Sequence, residues 1–115
     1  MVSQERFEEL CAEALDGLPE WVLQIMDNVQ VVVEDLPPRD QPNLLGLYQG
    51  VPLLNRGWHY SGVMPDRITL YQRAIEAVAG HDEARLRRVV AHTVAHEVAH
   101  HLGISDERLL EIDAY

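Results

Sequence analysis

The sequence predicts an α+β domain, and three observations support this class. A helical stretch opens the chain, short β-branched and alternating stretches occupy its middle, and a long helical stretch follows them. Helices grouped before and after a run of strands are typical of α+β proteins. The chain has 115 residues, the size of one domain. We therefore expect a single domain over residues 1–115.

The N-terminal part predicts two helices. Ser3 is a candidate N-cap of the first helix, and Gly17 and Pro19 mark its end. Apolar residues recur between them at helical spacing, at Phe7, Leu10, Ala14 and Leu18. A second short helix is expected over residues 19–28. We expect Cys11 to be a buried, small apolar residue and Trp21 and Trp58 to be core residues.

The middle of the chain predicts a small sheet. Residues 29–35 are β-branched and form the first strand, residues 36–43 contain three prolines and form a loop, and residues 44–50 form a second strand. Glycine and proline divide residues 51–66 into turns around one or two short strands. Residues 67–72 form a further strand, with Ile68, Leu70 and Gln72 on one face and Thr69 and Tyr71 on the other.

The longest predicted helix covers residues 82–103, after a short helix over residues 73–80. Asp82 is its candidate N-cap and Gly103 its candidate end. Because four residues make about one turn, the histidines at 92, 96 and 100 form one stripe. An apolar face lies on the other side and is complete without them: Val90, Ala91, Val94, Ala95, Val98 and Leu102. We expect this face to pack on the sheet while the histidine stripe lines a cleft.

Within the stripe, residues 96–100 read HEVAH, which matches the H-E-x-x-H pattern. Two imidazoles one turn apart can bind a single zinc ion. Glu97 lies about a quarter turn from His96, a poor position for a ligand but a good one for a base that accepts a proton from water. His96 and His100 are therefore candidate metal ligands and Glu97 the candidate catalytic base.

The residues after His100 extend the pattern. Gly103 tolerates the left-handed conformation that ends a helix, so the chain can reverse and bring Asp106 to the metal as a third ligand. Alternatively, Asp106 is the N-cap of a last short helix, although Ser105 can take that role.

The stretch HEVAHHLGISD (96–106) resembles the extended signature H-E-x-x-H-x-x-G-x-x-H/D of zincin metallopeptidases, in particular that of the small bacterial minimal zincins, or zincin-like metallopeptidase-domain proteins. The resemblance implies a small mixed or antiparallel sheet packed against the active-site helix, between an N-terminal helix and a short C-terminal helix. It also implies a Zn²⁺ cofactor, with His96, His100 and Asp106 as metal ligands and Glu97 as general base. Zincins bind extended peptide substrates along an edge strand, and residues 67–72 are the candidate for it here.

The roles of the other histidines and of several tyrosines are less specific. Tyr71, His59, Tyr60 and Tyr115 are either donors to the oxyanion of the reaction or packing and surface residues. His92 either lines the cleft beside the ligands or is a solvated residue. His101 points away from the stripe and is expected to be structural, and His81 is expected at the surface beside the start of the helix.

Composition restricts the partners. Nineteen acidic residues face nine basic ones, giving a formal charge of −10, which disfavours nucleic acid as a partner. The single cysteine fits a reducing compartment, and the sequence offers neither a signal peptide nor an apolar run long enough for a membrane span. A cytoplasmic protein that acts on a peptide or protein substrate, without a membrane partner, is therefore the expectation.

Two alternative functions remain open at this point. Some metal-dependent endoribonucleases carry histidines at H-x-x-x-H-x-x-G-x-x-H spacing, which His96, His100 and Gly103 match but Asp106 does not. The chain can also be a catalytically inactive, metal-binding interaction module. Two histidines and one carboxylate also suit iron instead of zinc.

Overall fold

The structure is a computed structural model that describes residues 2–25, 29–50 and 66–103. Within these ranges the elements follow the chain in the order α1 (Gln4–Asp16), α2 (Glu20–Ile25), β1 (Val29–Glu34), β2 (Gly46–Gln49), β3 (Asp66–Tyr71), α3 (Gln72–Ala79) and α4 (Glu83–Leu102). The predicted α+β class is confirmed. The expected C-terminal helix, the turns and strands over residues 51–65, and Trp58 lie outside the described residues.

Local capping signals set the ends of the main helices, as predicted. The Ser3 side chain accepts a hydrogen bond from the Arg6 amide at the start of α1. The Asp82 carboxylate accepts from the amides of Ala84 and Arg85 at the start of α4. Gly103 ends α4 in the left-handed conformation, with φ 91° and ψ 14°. Each cap satisfies backbone groups that the first or last turn of a helix leaves unpaired.

The sheet formed by the described residues is mixed and has the strand order β1-β3-β2. The pairing of β1 with β3 is parallel, and that of β2 with β3 is antiparallel. The expectation that residues 67–72 form the edge strand is wrong, because β3 lies at the centre. Among the described strands, β2 occupies the edge that contacts α4.

The central position of β3 also explains its burial. Ile68, Thr69, Leu70 and Tyr71 are all buried, because strands flank β3 on both sides and the helices α3 and α4 contact it. Gln72 was predicted to be the last residue of the strand, but it is the first residue of α3. Its side-chain amide donates a hydrogen bond to the Val2 carbonyl oxygen over 3.1 Å. A strand that is buried on both faces has no polar face. Alternation of polar and apolar residues therefore could not indicate which side of the strand faces the core.

The core lies between the sheet and the helices, and α1 and α3 both pack on α4. The apolar positions of α4 at Val90, Val94, Val98 and Leu102 are buried, as predicted. Ala91 and Ala95 are exposed instead. The buried face of the helix therefore turns away from these alanines and includes the polar residues Thr93, Glu97 and His101.

The prediction for Cys11 is confirmed, whereas that for Trp21 is wrong. Cys11 belongs to the hydrophobic core together with Phe7 and Leu10. Trp21 is 60% exposed, because the short helix α2 turns its neighbour Val22 into the core instead.

Candidate metal centre

Two histidines lie on adjacent turns of α4, as the motif predicts. The ring centroids of His96 and His100 are 4.6 Å apart, with an edge-to-face angle of 69°. Both side chains are half-buried. His92, one turn earlier, is exposed, and its ring lies 6.4 Å from that of His96. The histidine stripe therefore runs from solvent into the protein, and only its deeper pair is sheltered.

Glu97 lies beside this pair and is only 5% exposed. Its Oε1 atom is 3.3 Å from Nδ1 of His100. Burial raises the pKa of the Glu97 carboxyl group, and the neighbouring His100 and His96, together with hydrogen bonds from His100 and from the Tyr48 backbone, oppose this shift. A carboxylate whose pKa is raised in this way binds a proton more readily than an exposed one, which suits a general base.

Three side chains lie close enough together to hold a metal ion, with Glu97 as a third ligand or as the base beside two histidine ligands. One ligand atom from each of His96, Glu97 and His100 can be chosen so that all three lie within 4.8 Å of one another. Imidazole nitrogen and carboxylate oxygen are the ligands that zinc takes in catalytic sites. This group is the candidate metal centre within the described part of the chain. Asp106, the predicted third ligand, lies outside that part.

The edge strand β2 lies directly against the same helix. A β-carbon built on Gly46 would lie 3.0 Å from Cγ of Glu97 and 3.1 Å from Cγ2 of Thr93, both closer than ordinary contacts. Two residues further on, the Tyr48 backbone hydrogen-bonds to Glu97. The absence of a side chain at Gly46 therefore lets the strand approach the candidate base.

Next to Glu97, the start of β2 and the residues before it form a half-open cavity of about 230 Å³ with α4. Leu44, Leu45 and Gly46 line it from the strand side, and His92, Thr93 and His96 line it from the helix. The cavity opens beside the candidate metal centre and has apolar and polar walls. It is large enough for one amino-acid side chain of a substrate.

A buried polar network beneath the centre was not predicted from the sequence. The Asp66 Oδ2 atom accepts a hydrogen bond from the Tyr48 hydroxyl over 2.7 Å and lies 2.8 Å from Nδ1 of His101. Asp66 is 1% exposed and His101 is fully buried. The prediction that His101 is structural fits this placement. The missed signal was the i, i+4, i+8 spacing of Thr93, Glu97 and His101, a second polar stripe on α4.

The remaining candidates separate clearly. Tyr71 is buried, and burial raises the pKa of its hydroxyl, with the charges of Glu34 and Glu97 adding to the shift, so it fits the packing reading. His81 is exposed, as expected. The other candidate oxyanion donors, His59, Tyr60 and Tyr115, lie outside the described residues.

Comparison with known families agrees with this site. The profile of the family described as zincin-like metallopeptidase matches residues 26–115, which include β1 to α4 and the whole of the HEVAHHLGISD stretch. The chain therefore belongs to the zincin-like metallopeptidase family. Among curated proteins, none matches the chain. None of the helices in the described ranges is long and apolar enough to cross a membrane.

Proposed function

We propose that this protein is a zinc-dependent peptidase that hydrolyses peptide bonds with Glu97 as the general base. The observation that carries the proposal is the placement of Glu97. Its carboxylate is buried, lies beside the His96–His100 pair, and faces the cavity between α4 and the edge strand. The proposed base, the two proposed histidine ligands and a space for substrate therefore lie next to one another.

His96 and His100 are the proposed histidine ligands and Asp106 the proposed third ligand. Zinc held there would supply a Lewis acid for the attacking water and for the carbonyl group of the substrate. The protein itself supplies the proton transfers of the reaction. The Glu97 carboxylate accepts a proton from the attacking water and then transfers it to the nitrogen of the leaving amine, so that the proton balance closes without a further acid.

The edge strand β2 provides the substrate platform in this proposal. An extended peptide can add to the edge of a sheet through main-chain hydrogen bonds, and among the described strands β2 is the edge strand beside the candidate centre. A substrate bound in this way would place one side chain in the cavity lined by Leu44, Leu45 and Thr93. We expect medium-sized apolar side chains there, because Leu44 and Leu45 form one wall of the cavity.

The test is cleavage of an unbiased peptide library by the zinc-loaded protein, with and without a chelator, read by mass spectrometry. We expect chelator-sensitive cleavage with apolar residues enriched at one position near the cut. A protein that binds zinc but cleaves nothing would contradict the proposal and favour a metal-binding interaction module. RNA filter binding at low salt distinguishes the ribonuclease alternative from the proposed peptidase, because only a ribonuclease is expected to bind RNA tightly and in a salt-sensitive manner.

A further inference from the structure

We propose that Tyr48, Asp66 and His101 are positioning residues, which lock the edge strand β2 onto α4 and so fix the carboxylate of Glu97. The inference rests on the proposed function, because Glu97 is the base there. The three side chains come from three elements: β2, β3 and the last turn of α4. They meet at one oxygen, the Oδ2 atom of Asp66, and we call them the Tyr48–Asp66–His101 network.

Strand β2 and helix α4 contact each other at matched intervals. Two residues of an antiparallel strand advance about 6.8 Å, and one turn of four residues on an α-helix advances about 6 Å. Gly46 faces the side chains of Thr93 and Glu97. Tyr48 reaches Glu97 through its backbone, and its ring packs edge-on against His101 at 5.8 Å. The strand therefore follows the Thr93–Glu97–His101 stripe along the helix.

The strand is fixed at its far end by Asp66. Gly50 follows β2 with φ 152°, and a β-carbon there would collide with the Asp66 carboxylate. Only glycine fits that approach. The same carboxylate binds His101 from α4 and Tyr48 from β2. Asp66 therefore joins the end of the strand to the end of the helix.

The chemistry of the network suits positioning better than stabilisation. A buried ion pair or polar pair often contributes no more to stability than apolar residues of the same volume, but its hydrogen bonds have fixed lengths and directions. Nε2 of His101 is buried and has no hydrogen-bond partner among the described residues, which is a cost to folding. The three residues therefore contribute little to the stability of the core, but their hydrogen bonds fix the position of strand β2.

The test is native-state hydrogen exchange of the full chain, followed by NMR. Tyr48→Phe removes one hydroxyl and keeps the ring and backbone. His101→Leu removes the donor to Asp66 at similar volume, and His101→Asn keeps a donor near the position of Nδ1. Ile75→Val is the matched control, because it removes one methylene from a fully buried site outside the network.

The network holds the residue 48 amide against Glu97. In Tyr48→Phe and His101→Leu, we expect the exchange protection factor of this amide to fall about tenfold relative to the amides of β1. This is the effect of one lost buried hydrogen bond. His101→Asn should restore most of this protection, and Ile75→Val should lower all core amides alike. A uniform loss in the network variants, or an unchanged residue 48 amide in both, would overturn the proposal. If His101→Leu does not fold, Tyr48→Phe alone decides.

Cleavage by the same variants separates the two proposals. Where the wild type cleaves peptides, the network predicts a lower kcat in Tyr48→Phe, because Glu97 is displaced, and a higher KM, because β2 is the proposed substrate platform, both at temperatures far below unfolding. Selective loss at residue 48 in a protein without peptidase activity would support the network and contradict the peptidase. Peptidase activity together with a uniform exchange pattern would contradict the network alone.

Discussion

Gly46 of β2 lies so close to Glu97 of α4 that a side chain at residue 46 would require its neighbours to shift. A β-carbon on residue 46 would lie 3.0 Å from Cγ of Glu97, and a carbonyl oxygen of Thr69 would close the space at 3.2 Å. The backbone of strand β2 therefore packs directly against the side chain of the candidate base at Gly46. The position of Glu97 depends on the strand as well as on its own helix.

We expect Gly46→Ala to displace Glu97 and to destabilise the protein by about 1–3 kcal/mol, the usual cost of overpacking a core. Thermal unfolding and peptide cleavage measure the two effects. Gly17→Ala is the matched control, because a β-carbon there makes only ordinary contacts at 3.4 Å and beyond and its φ is −80°. Equal behaviour of the two variants would show that the contact with Glu97 is unimportant.

We expect Asp106→Ala to weaken zinc binding by more than about 100-fold, since losing a residue that only supports a ligand already costs 10–100-fold. Titration with a competing zinc chelator measures this affinity. Asp113→Ala is the control, an aspartate outside the motif. If Asp106 is only a helix cap, its loss instead costs about 1 kcal/mol of stability and leaves zinc affinity unchanged.

We expect Gly103→Ala to destabilise the protein by about 1–2 kcal/mol, because residue 103 has φ 91° and alanine is strained there. Its zinc affinity should also fall, since the proposed ligand Asp106 follows this reversal of the chain. Gly103→Asn should be milder, because asparagine tolerates the left-handed conformation. Chemical denaturation and zinc titration test both variants, and equal effects of alanine and asparagine would contradict the role of the backbone conformation.

Cys11 gives a prediction on pH that is independent of the metal centre. Burial raises the pKa of its thiol from 9.0 to about 12, with the charge of Glu8 adding to the shift. The unfolded chain releases this proton first. The contribution to stability is therefore complete below about pH 9 and is lost as the pH rises towards 12, by at most about 1.4 kcal/mol per pH unit.

Urea unfolding between about pH 8 and pH 10.5 checks this prediction against Cys11→Ala, which lacks the titrating group. The difference in unfolding free energy between the two proteins should shrink as the pH rises. A constant difference would mean that the thiol ionises equally easily in both states. In the native protein, the thiol should also resist alkylation that proceeds rapidly after unfolding.

The elements that the sequence predicted well depend on local signals. The bounds of α4 follow from Asp82 and Gly103, whose caps act within one turn. The pairing of His96 with His100 follows from helix geometry alone. These features need no knowledge of the rest of the fold.

The features that the sequence did not predict depend on tertiary placement. The central position of β3 follows from pairing with two strands distant in sequence. Thr93, Glu97 and His101 are buried because β2 covers them, although polar residues on a helix usually face solvent. Asp66 opens β3 without any motif, and only the folded chain brings it to Tyr48 and His101.

The most direct test of the account is the comparison of wild-type protein with Glu97→Gln for zinc content and peptide cleavage together. We predict that Glu97→Gln retains one zinc ion with nearly unchanged affinity and loses cleavage by about 10²–10⁴-fold, the usual contribution of a general base. His96→Ala should lose both. Loss of zinc together with activity in Glu97→Gln would contradict the assigned role and make Glu97 a metal ligand instead of the base.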